Sequence, residues 1–116
     1  MSNRKKLPNR RAAENLTYYW QGNKMEAHLG FYDNGKLGEI FLSAGKAGTG
    51  LSVTMIEAAV ATSLALQYGC PVDVLLAAMP HDERVVGTRV AGTPDGPVGQ
   101  LLSQLERRPE LVEVTP

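Results

Sequence analysis

A glycine-rich segment at residues 45–50 carries the strongest chemical signal in this sequence, because it joins a predicted strand to the start of a predicted helix. The first N–H groups of a helix are unpaired and its dipole places about half a positive charge there, so anions bind readily. The spacing matches neither the Walker A sequence nor the dinucleotide fingerprint. Two interpretations remain open: an anion site, or glycines that only permit a tight chain reversal. The candidate anion ligands are Gly45, Lys46, Gly48, Thr49 and Gly50.

The N-terminal arm, residues 1–11, could complete such a site. It holds five of the twelve Lys and Arg residues and no acid, which leaves seven cations against twelve acids, a net charge of −5, in the rest of the chain. Arg10 and Arg11 could grip a phosphate bidentately. The alternatives are a solvated tail and an arm that crosses to a partner chain. The aromatic candidates for stacking on a base are Tyr18, Tyr19, Trp20 and Tyr32.

No arrangement of residues in the sequence points to catalysis or to a metal. His81, Asp82 and Glu83 are adjacent, and adjacent positions rarely make one metal site. Cys70, which precedes Pro71, is typical of a small buried hydrophobic residue. We therefore predict no catalytic residue, no metal and no cofactor.

Composition restricts the class of protein further. The chain has 116 residues, enough for one domain, and its formal net charge is zero, which makes nucleic acid an unlikely partner. A single cysteine excludes an internal disulfide and fits a reducing compartment. No apolar run reaches ~18 residues, so no membrane span is expected. The basic N-terminus lacks the apolar stretch of a signal peptide, so we expect a cytoplasmic protein.

Three strand-like runs predict an antiparallel meander over residues 14–21, 24–32 and 36–43. Turns are expected at Gly22-Asn23 and at residues 33–35. Along the second run one face is apolar, and it consists of Met25, Ala27, Leu29 and Phe31. The opposite face could be an interface, a ligand surface or plain solvent-exposed surface, and it offers Thr17, Tyr19, His28, Tyr32 and Glu39.

A helix is predicted over residues 51–68, ending at Gly69. Because it is apolar on most sides, and a three-stranded sheet covers only one side, we expect a second helix at 72–79 and another subunit to cover the rest. The helix at 51–68 is therefore the predicted contact of a homo-oligomer.

The C-terminal third predicts a loop at 80–96 with a short strand at 84–90, then an amphipathic helix at 97–107 capped by Asp95 or Thr93. The predicted fold is α+β: a three-stranded antiparallel meander, a long buried helix and two shorter helices. The organisation is a basic arm at 1–12, one domain at 13–107 and a tail at 108–116.

Four segments resemble a known family when taken together. Residues 7–11 read Leu-Pro-Asn-Arg-Arg, 37–42 read Leu-Gly-Glu-Ile-Phe-Leu, 45–48 read Gly-Lys-Ala-Gly, and 63–71 read Ser-Leu-Ala-Leu-Gln-Tyr-Gly-Cys-Pro. Over residues 4–106 the chain resembles the TSCPD domain, which occurs at the C-terminal end of adenosylcobalamin-dependent ribonucleotide reductases and as small free-standing proteins. The family's name motif is Thr-Ser-Cys-Pro-Asp; here residues 91–95 read Ala-Gly-Thr-Pro-Asp, so Thr93 replaces the cysteine.

The resemblance implies a binding role, because the reductase's cofactor, redox cysteines and barrel do not fit in this chain. One hypothesis is a non-catalytic module of deoxynucleotide metabolism that binds a nucleotide phosphate or docks on a reductase. Another is a small oligomeric protein, of the kind phages encode, that sequesters a nucleotide signal. A purely structural subunit is the third. Since Thr93 cannot act as a thiol, the motif at 91–95 is expected to have a structural role.

Overall fold

Three strands, β1 (Ala13–Trp20), β2 (Asn23–Phe31) and β3 (Leu37–Ala44), form an antiparallel sheet in chain order. The computed structural model describes residues 3–44, 48–82 and 93–108. The alternation of β2 is confirmed, because its four apolar side chains are all buried. The predicted meander is therefore correct, with strand ends within one residue of the expected positions.

The first hairpin turn differs from the prediction by one residue. Trp20 pairs with Asn23, so the two turn residues are Gln21 and Gly22, with φ of 48° and 78°. Two consecutive positive φ angles are typical of a type I′ turn, which fits the twist of the flanking strands. The prediction follows the two-residue hairpin signal Gly22-Asn23, whereas the observed turn uses Gln21, a non-glycine residue at an uncommon positive φ.

The long helix α1 (Gly50–Gln67) lies along the free edge of β3. The Ile40 N–H donates to Ser63 Oγ at 2.9 Å, and the same hydroxyl donates to the Ile40 carbonyl at 3.0 Å. The Gln67 amide donates to the Gly38 carbonyl at 3.1 Å. The later helix residue, Gln67, contacts the earlier strand residue, Gly38, so α1 runs antiparallel to β3.

In the single chain only one side of α1 is buried: the second helix does not cover the rest, and cover by another subunit stays a prediction. The buried stripe includes Met55, Ala59 and Leu66. A second row of large apolar side chains remains between 37% and 53% exposed. This outer row consists of Val53, Ile56, Val60, Leu64 and Tyr68.

The helix also corrects the expectation that no apolar segment is long enough to span a membrane. With 18 residues, α1 is long and apolar enough by length and composition alone. Core helices meet the same test, and α1 packs on the sheet with its Ser63 and Gln67 side chains bonded to β3.

The second helix, α2 (Val72–Ala78), packs chiefly against α3 (Pro97–Glu106) and leaves the outer row of α1 uncovered.

Within the predicted loop, β4 (His81–Asp82) pairs with β5 (Thr93–Pro94); the predicted strand at 84–90 lies outside the described residues. The N-cap of α3 is Gly96 rather than Asp95 or Thr93. The core forms where Leu101, Leu102 and Leu105 of α3 meet the buried face of the sheet.

Candidate functional site

The glycine-rich segment does lead into the N-terminus of α1. Gly48 has φ of 83°, and Thr49 is the N-cap, whose hydroxyl accepts from the Ser52 N–H at 3.2 Å. Gly50 begins the helix, while Gly45 and Lys46 lie outside the described residues. Thr49 therefore has a structural role that accounts for its presence, and it satisfies one donor that an anion could otherwise use.

The N-terminal arm is docked on the domain rather than solvated. Arg4 Nε donates to Gln67 Oε1 at 2.7 Å, and the Lys5 N–H donates to the Gln67 carbonyl at 2.8 Å. Leu7 packs closely on Gly38, where a Cβ atom would lie 2.9 Å from Leu7 Cδ2. The arm thus packs over the C-terminal end of α1 and the start of β3.

The Arg11 guanidinium forms an ion pair with a buried acid, Glu39. Its guanidinium donates to both carboxylate oxygens of Glu39, at 2.5 and 3.1 Å, and to the Pro8 carbonyl at 2.7 Å. Glu39 is only 6% exposed and lies directly over Gly30, where any side chain would collide with it. A charge with so little contact with water needs a partner, and Arg11 supplies it.

The two parts of the predicted anion site lie at opposite ends of α1. An 18-residue helix is about 27 Å long, and the arm contacts its last residue while the glycine segment precedes its first. One chain therefore does not bring Arg11 together with residues 48–50. Arg10, adjacent to Arg11, is exposed.

The four candidate stacking aromatics are separated as well. Tyr18 is buried, donates to the Pro97 carbonyl at 2.7 Å, and has its pKa raised to about 12 by burial. Trp20 donates to the Asp95 carbonyl at 2.8 Å. Tyr19 is 66% exposed, and Tyr32 lies half-buried beside the arm. Two of the four therefore link the sheet to the start of α3.

The outer face of the sheet is accessible near Phe41, which is 52% exposed. His28 Nδ1 lies 2.7 Å from Asn15 Oδ1, and its ring centroid is 5.9 Å from that of Phe41. Tyr19 and Thr17 are exposed on this face, whereas Glu39 is buried. An interface, a ligand surface and plain exposure all remain compatible with this arrangement.

A cleft that the sequence did not predict lies beside Tyr32. Its volume is about 270 Å³, and its walls include Lys5, Lys36 and Cys70. Lys5 Nζ lies 5.1 Å from the centroid of the Tyr32 ring, and burial raises the pKa of this phenol. We call this space the arm cleft. No sequence pattern signals it, because Lys5, Lys36 and Cys70 are distant along the chain.

Residues 94 and 95 of the altered name motif have structural contacts. The Asp95 N–H donates to the Pro80 carbonyl at 2.9 Å, and the Pro94 carbonyl accepts from the Gln100 amide at 3.3 Å. Within the described residues, no group of three His, Cys, Asp or Glu side chains is placed to hold a metal ion.

Three of the four distinctive segments, 7–11, 37–42 and 63–71, meet in space, whereas the described residue of 45–48, Gly48, precedes the other end of α1. Residues 7–11 contact Gly38 and Glu39 through Leu7 and Arg11, and Gln67 from the end of α1 bonds both Gly38 and the arm. Their sequence signature therefore corresponds to one structural junction.

Comparison with known proteins identifies the family. The family model of the TSCPD domain matches residues 3–106. Three relatives are each described as a vitamin B12-dependent ribonucleotide reductase: from Bradyrhizobium diazoefficiens (41% identity over 73 residues), Agrobacterium fabrum (39% over 70) and Rhodopirellula baltica (30% over 78). These matches cover 63%, 60% and 67% of this chain but 6%, 6% and 8% of the relatives. No solved structure matches significantly. The chain belongs to the TSCPD domain family.

Proposed function

We propose that this chain is a non-catalytic interaction module of deoxynucleotide metabolism that pairs with a second copy of itself through α1. The observation that carries the proposal is the outer row of α1, five large apolar side chains left 37–53% exposed. Exposed apolar surface of this kind, here interrupted by the exposed Glu57 between Val53 and Val60, marks interaction sites on soluble domains. The family relation supplies the metabolic context, and the cytoplasm is the compartment that fits it.

The spacing of the outer row favours a second copy as its occupant. The row runs from Val53 to Tyr68, so its midpoint falls between Val60 and Ala61. Two copies packed antiparallel about a two-fold axis at that midpoint would each cover the whole row of the other. Such a self-complementary contact is the usual form of a homodimer interface.

Charge supports the same arrangement. Glu57 is the only charged residue of α1. About a two-fold axis at residues 60 and 61, position 57 faces position 64 of the other copy, one helical turn from Gln67, which holds Arg4. The acid of one copy is thereby placed near the basic arm of its partner, where opposite charges favour the antiparallel orientation.

The apolar area is sufficient for association. Full burial of a large aliphatic side chain contributes about 1.5–3 kcal/mol, so half-exposed ones contribute about 1 kcal/mol each, or about 10 kcal/mol for ten. This is comparable with the about 4–15 kcal/mol lost as translational and rotational freedom. At the low end of that cost about 6 kcal/mol remains, so we expect a dissociation constant of roughly tens of micromolar.

Sedimentation or light scattering of the full chain at 1–100 µM, as an order-of-magnitude range around that estimate, tests the pairing. We expect a dimer for the wild type and for Thr54→Glu, an exposed α1 position outside the outer row. Val60→Glu should give a folded monomer, because it would bury an unpaired charge. Glu57→Arg should weaken the dimer, and adding Arg4→Glu should restore it.

A wild type that stays monomeric over this range would overturn the pairing, even if the same row then bound a B12-dependent reductase. The pairing would also be overturned if Thr54→Glu and Val60→Glu changed the oligomeric state equally.

Absence of catalysis belongs to the same proposal. The chain has one cysteine, and it aligns with only a small part of its reductase relatives. We expect a clean preparation to form no deoxynucleotide from ribonucleotides with cobalamin and a dithiol. Dithiol-dependent product in such an assay would refute a non-catalytic role.

A further inference from the structure

We propose that the arm cleft binds a small organic phosphate, at the opposite end of α1 from the glycine-rich segment. This inference does not depend on the pairing of two copies, since it rests on a different set of residues. The arm cleft is the space of about 270 Å³ between the arm, the turn before β3 and the end of α1.

Positive charge without an acidic partner is the first support. Lys5 and Lys36 both line the arm cleft, and no acidic residue does. Within the part of the chain that the structure describes, neither lysine ammonium forms an ion pair or a hydrogen bond. The acid nearest in sequence, Asp33, lines an adjoining cavity that shares Lys5, Tyr32 and Asn34 with the arm cleft, and it forms no ion pair with Lys5.

The end of α1 would ordinarily repel an anion, because its last carbonyls carry partial negative charge. Here the N–H groups of the three residues 68–70 donate to the carbonyls of Leu64, Leu66 and Ala65 at 2.9–3.0 Å. Gly69, at φ of 95°, allows this closed cap. With these carbonyls satisfied, the two lysines dominate the charge of the arm cleft.

The walls supply an apolar surface for the organic part of the ligand. Leu37, Leu66 and Val72 are each no more than 9% exposed and contribute to the cleft lining. Such a combination of apolar walls with a few convergent charges is typical of small-molecule sites.

Tyr32 gives the arm cleft a fixed aromatic wall. Its hydroxyl donates to the Lys5 carbonyl at 2.5 Å, and its ring lies against Gly38, where a Cβ atom would be 2.6 Å from it. The ring therefore does not need to be ordered when a ligand binds, which lowers the entropic cost. Lys5 Nζ lies over this ring, 5.1 Å from its centroid, so a planar base or a sugar would pack on it once the ammonium has turned to the phosphate.

Size limits the ligand class. Sites for drug-sized ligands occupy about 300–1,000 Å³, so a cleft of about 270 Å³ suits a mononucleotide-sized molecule or smaller. A nucleoside monophosphate combines the anion, the planar group and the size. AMP is therefore the probe, with adenosine and inorganic phosphate as its two separate halves.

Calorimetric titration at low salt tests the proposal with four proteins. We expect AMP to bind the wild type, with adenosine and inorganic phosphate each at least tenfold weaker. Lys36→Gln should weaken AMP binding at least tenfold, since hydrogen bonds to charged groups are among the strong ones. AMP binding should be unchanged in two control variants. Arg10→Gln removes an exposed cation of the arm, and Lys46→Ala removes the cation of the glycine-rich segment.

Protection of the single cysteine gives a second measurement. Cys70 lines the arm cleft, so bound AMP should slow its alkylation by iodoacetamide in the wild type but not in Lys36→Gln. No AMP binding below millimolar concentration would overturn the proposal. Loss of binding in Lys46→Ala with none in Lys36→Gln would move the site to the glycine-rich segment. If Lys36→Gln and Arg10→Gln lost AMP affinity equally, the binding would be non-specific attraction to positive charge, and the arm cleft would not be a site.

Discussion

Replacing Arg11 by Gln should destabilise the domain strongly, because it leaves the Glu39 carboxylate nearly buried without its counter-charge. The Glu39 side chain is 9% exposed and that of Arg11 is 29% exposed. Breaking a fully buried pair from one side costs about 3–5 kcal/mol. Since water reaches the arginine side of this pair, we expect a loss of about 2–3 kcal/mol in the free energy of unfolding.

Urea unfolding followed by circular dichroism measures this loss. With a denaturant slope of about 1.5–2 kcal/mol per molar, the midpoint should fall by about 1–2 M. Arg10→Gln is the matched control, since Arg10 is exposed, and it should change stability by less than about 0.5 kcal/mol. Adding Glu39→Gln to Arg11→Gln should recover part of the loss, because the unpaired charge is then gone. If Arg11→Gln and Arg10→Gln gave equal stability, the pair would have no structural importance and the reasoning would be refuted.

Two further predictions concern the contacts that join the sheet to the C-terminal segment. Tyr18→Phe should lower the free energy of unfolding by about 1 kcal/mol through loss of the bond to the Pro97 carbonyl. Because burial raises the pKa of Tyr18 from 10.0 to about 12, the wild type should lose stability above pH 10, and urea unfolding should show a smaller loss in Tyr18→Phe. The hydrogen bond from Arg108 lowers the pKa of Glu14 below 4.5. That contribution is present at neutral pH and is lost as the pH falls through the lowered pKa, so Arg108→Gln should differ in stability from the wild type at pH 7 and converge with it in acid. A difference that persists unchanged below that pKa would contradict the assignment.

Local patterns in the sequence predicted the local structure well. The alternation around Ala27 and Leu29 gave the buried face of β2, because side chains of a strand alternate between faces. Gly69, at positive φ, ends α1 as expected from the chemistry of helix caps. The observed turn, Gln21-Gly22, lies one residue before the predicted one. The pairing of β1 with β2 sets this register, and the intrinsic preference of glutamine does not.

Contacts between distant segments were not predictable from spacing alone. Arg11 was a candidate phosphate ligand, but its partner Glu39 is 28 positions away and was expected on an exposed face. The predicted cover of α1 by a second helix failed because α2 packs on α3. Arg108, the first residue of the expected tail, is bonded to Glu14, which is 94 positions away. No periodicity in the sequence encodes such pairings.

The two bonds between Ser63 and Ile40 limit how this sheet can grow. A strand at the edge of a sheet ordinarily offers its free N–H and C=O groups to another chain, which is a route to aggregation. On β3 those groups of Ile40 are taken by one hydroxyl, and the Gly38 carbonyl is taken by Gln67. Addition of a fourth strand at this edge would require α1 to detach. Ser63→Ala would leave the N–H and C=O of Ile40 without these bonds but still beneath α1, so α1 protects this edge from intermolecular β-pairing as well as supporting the fold.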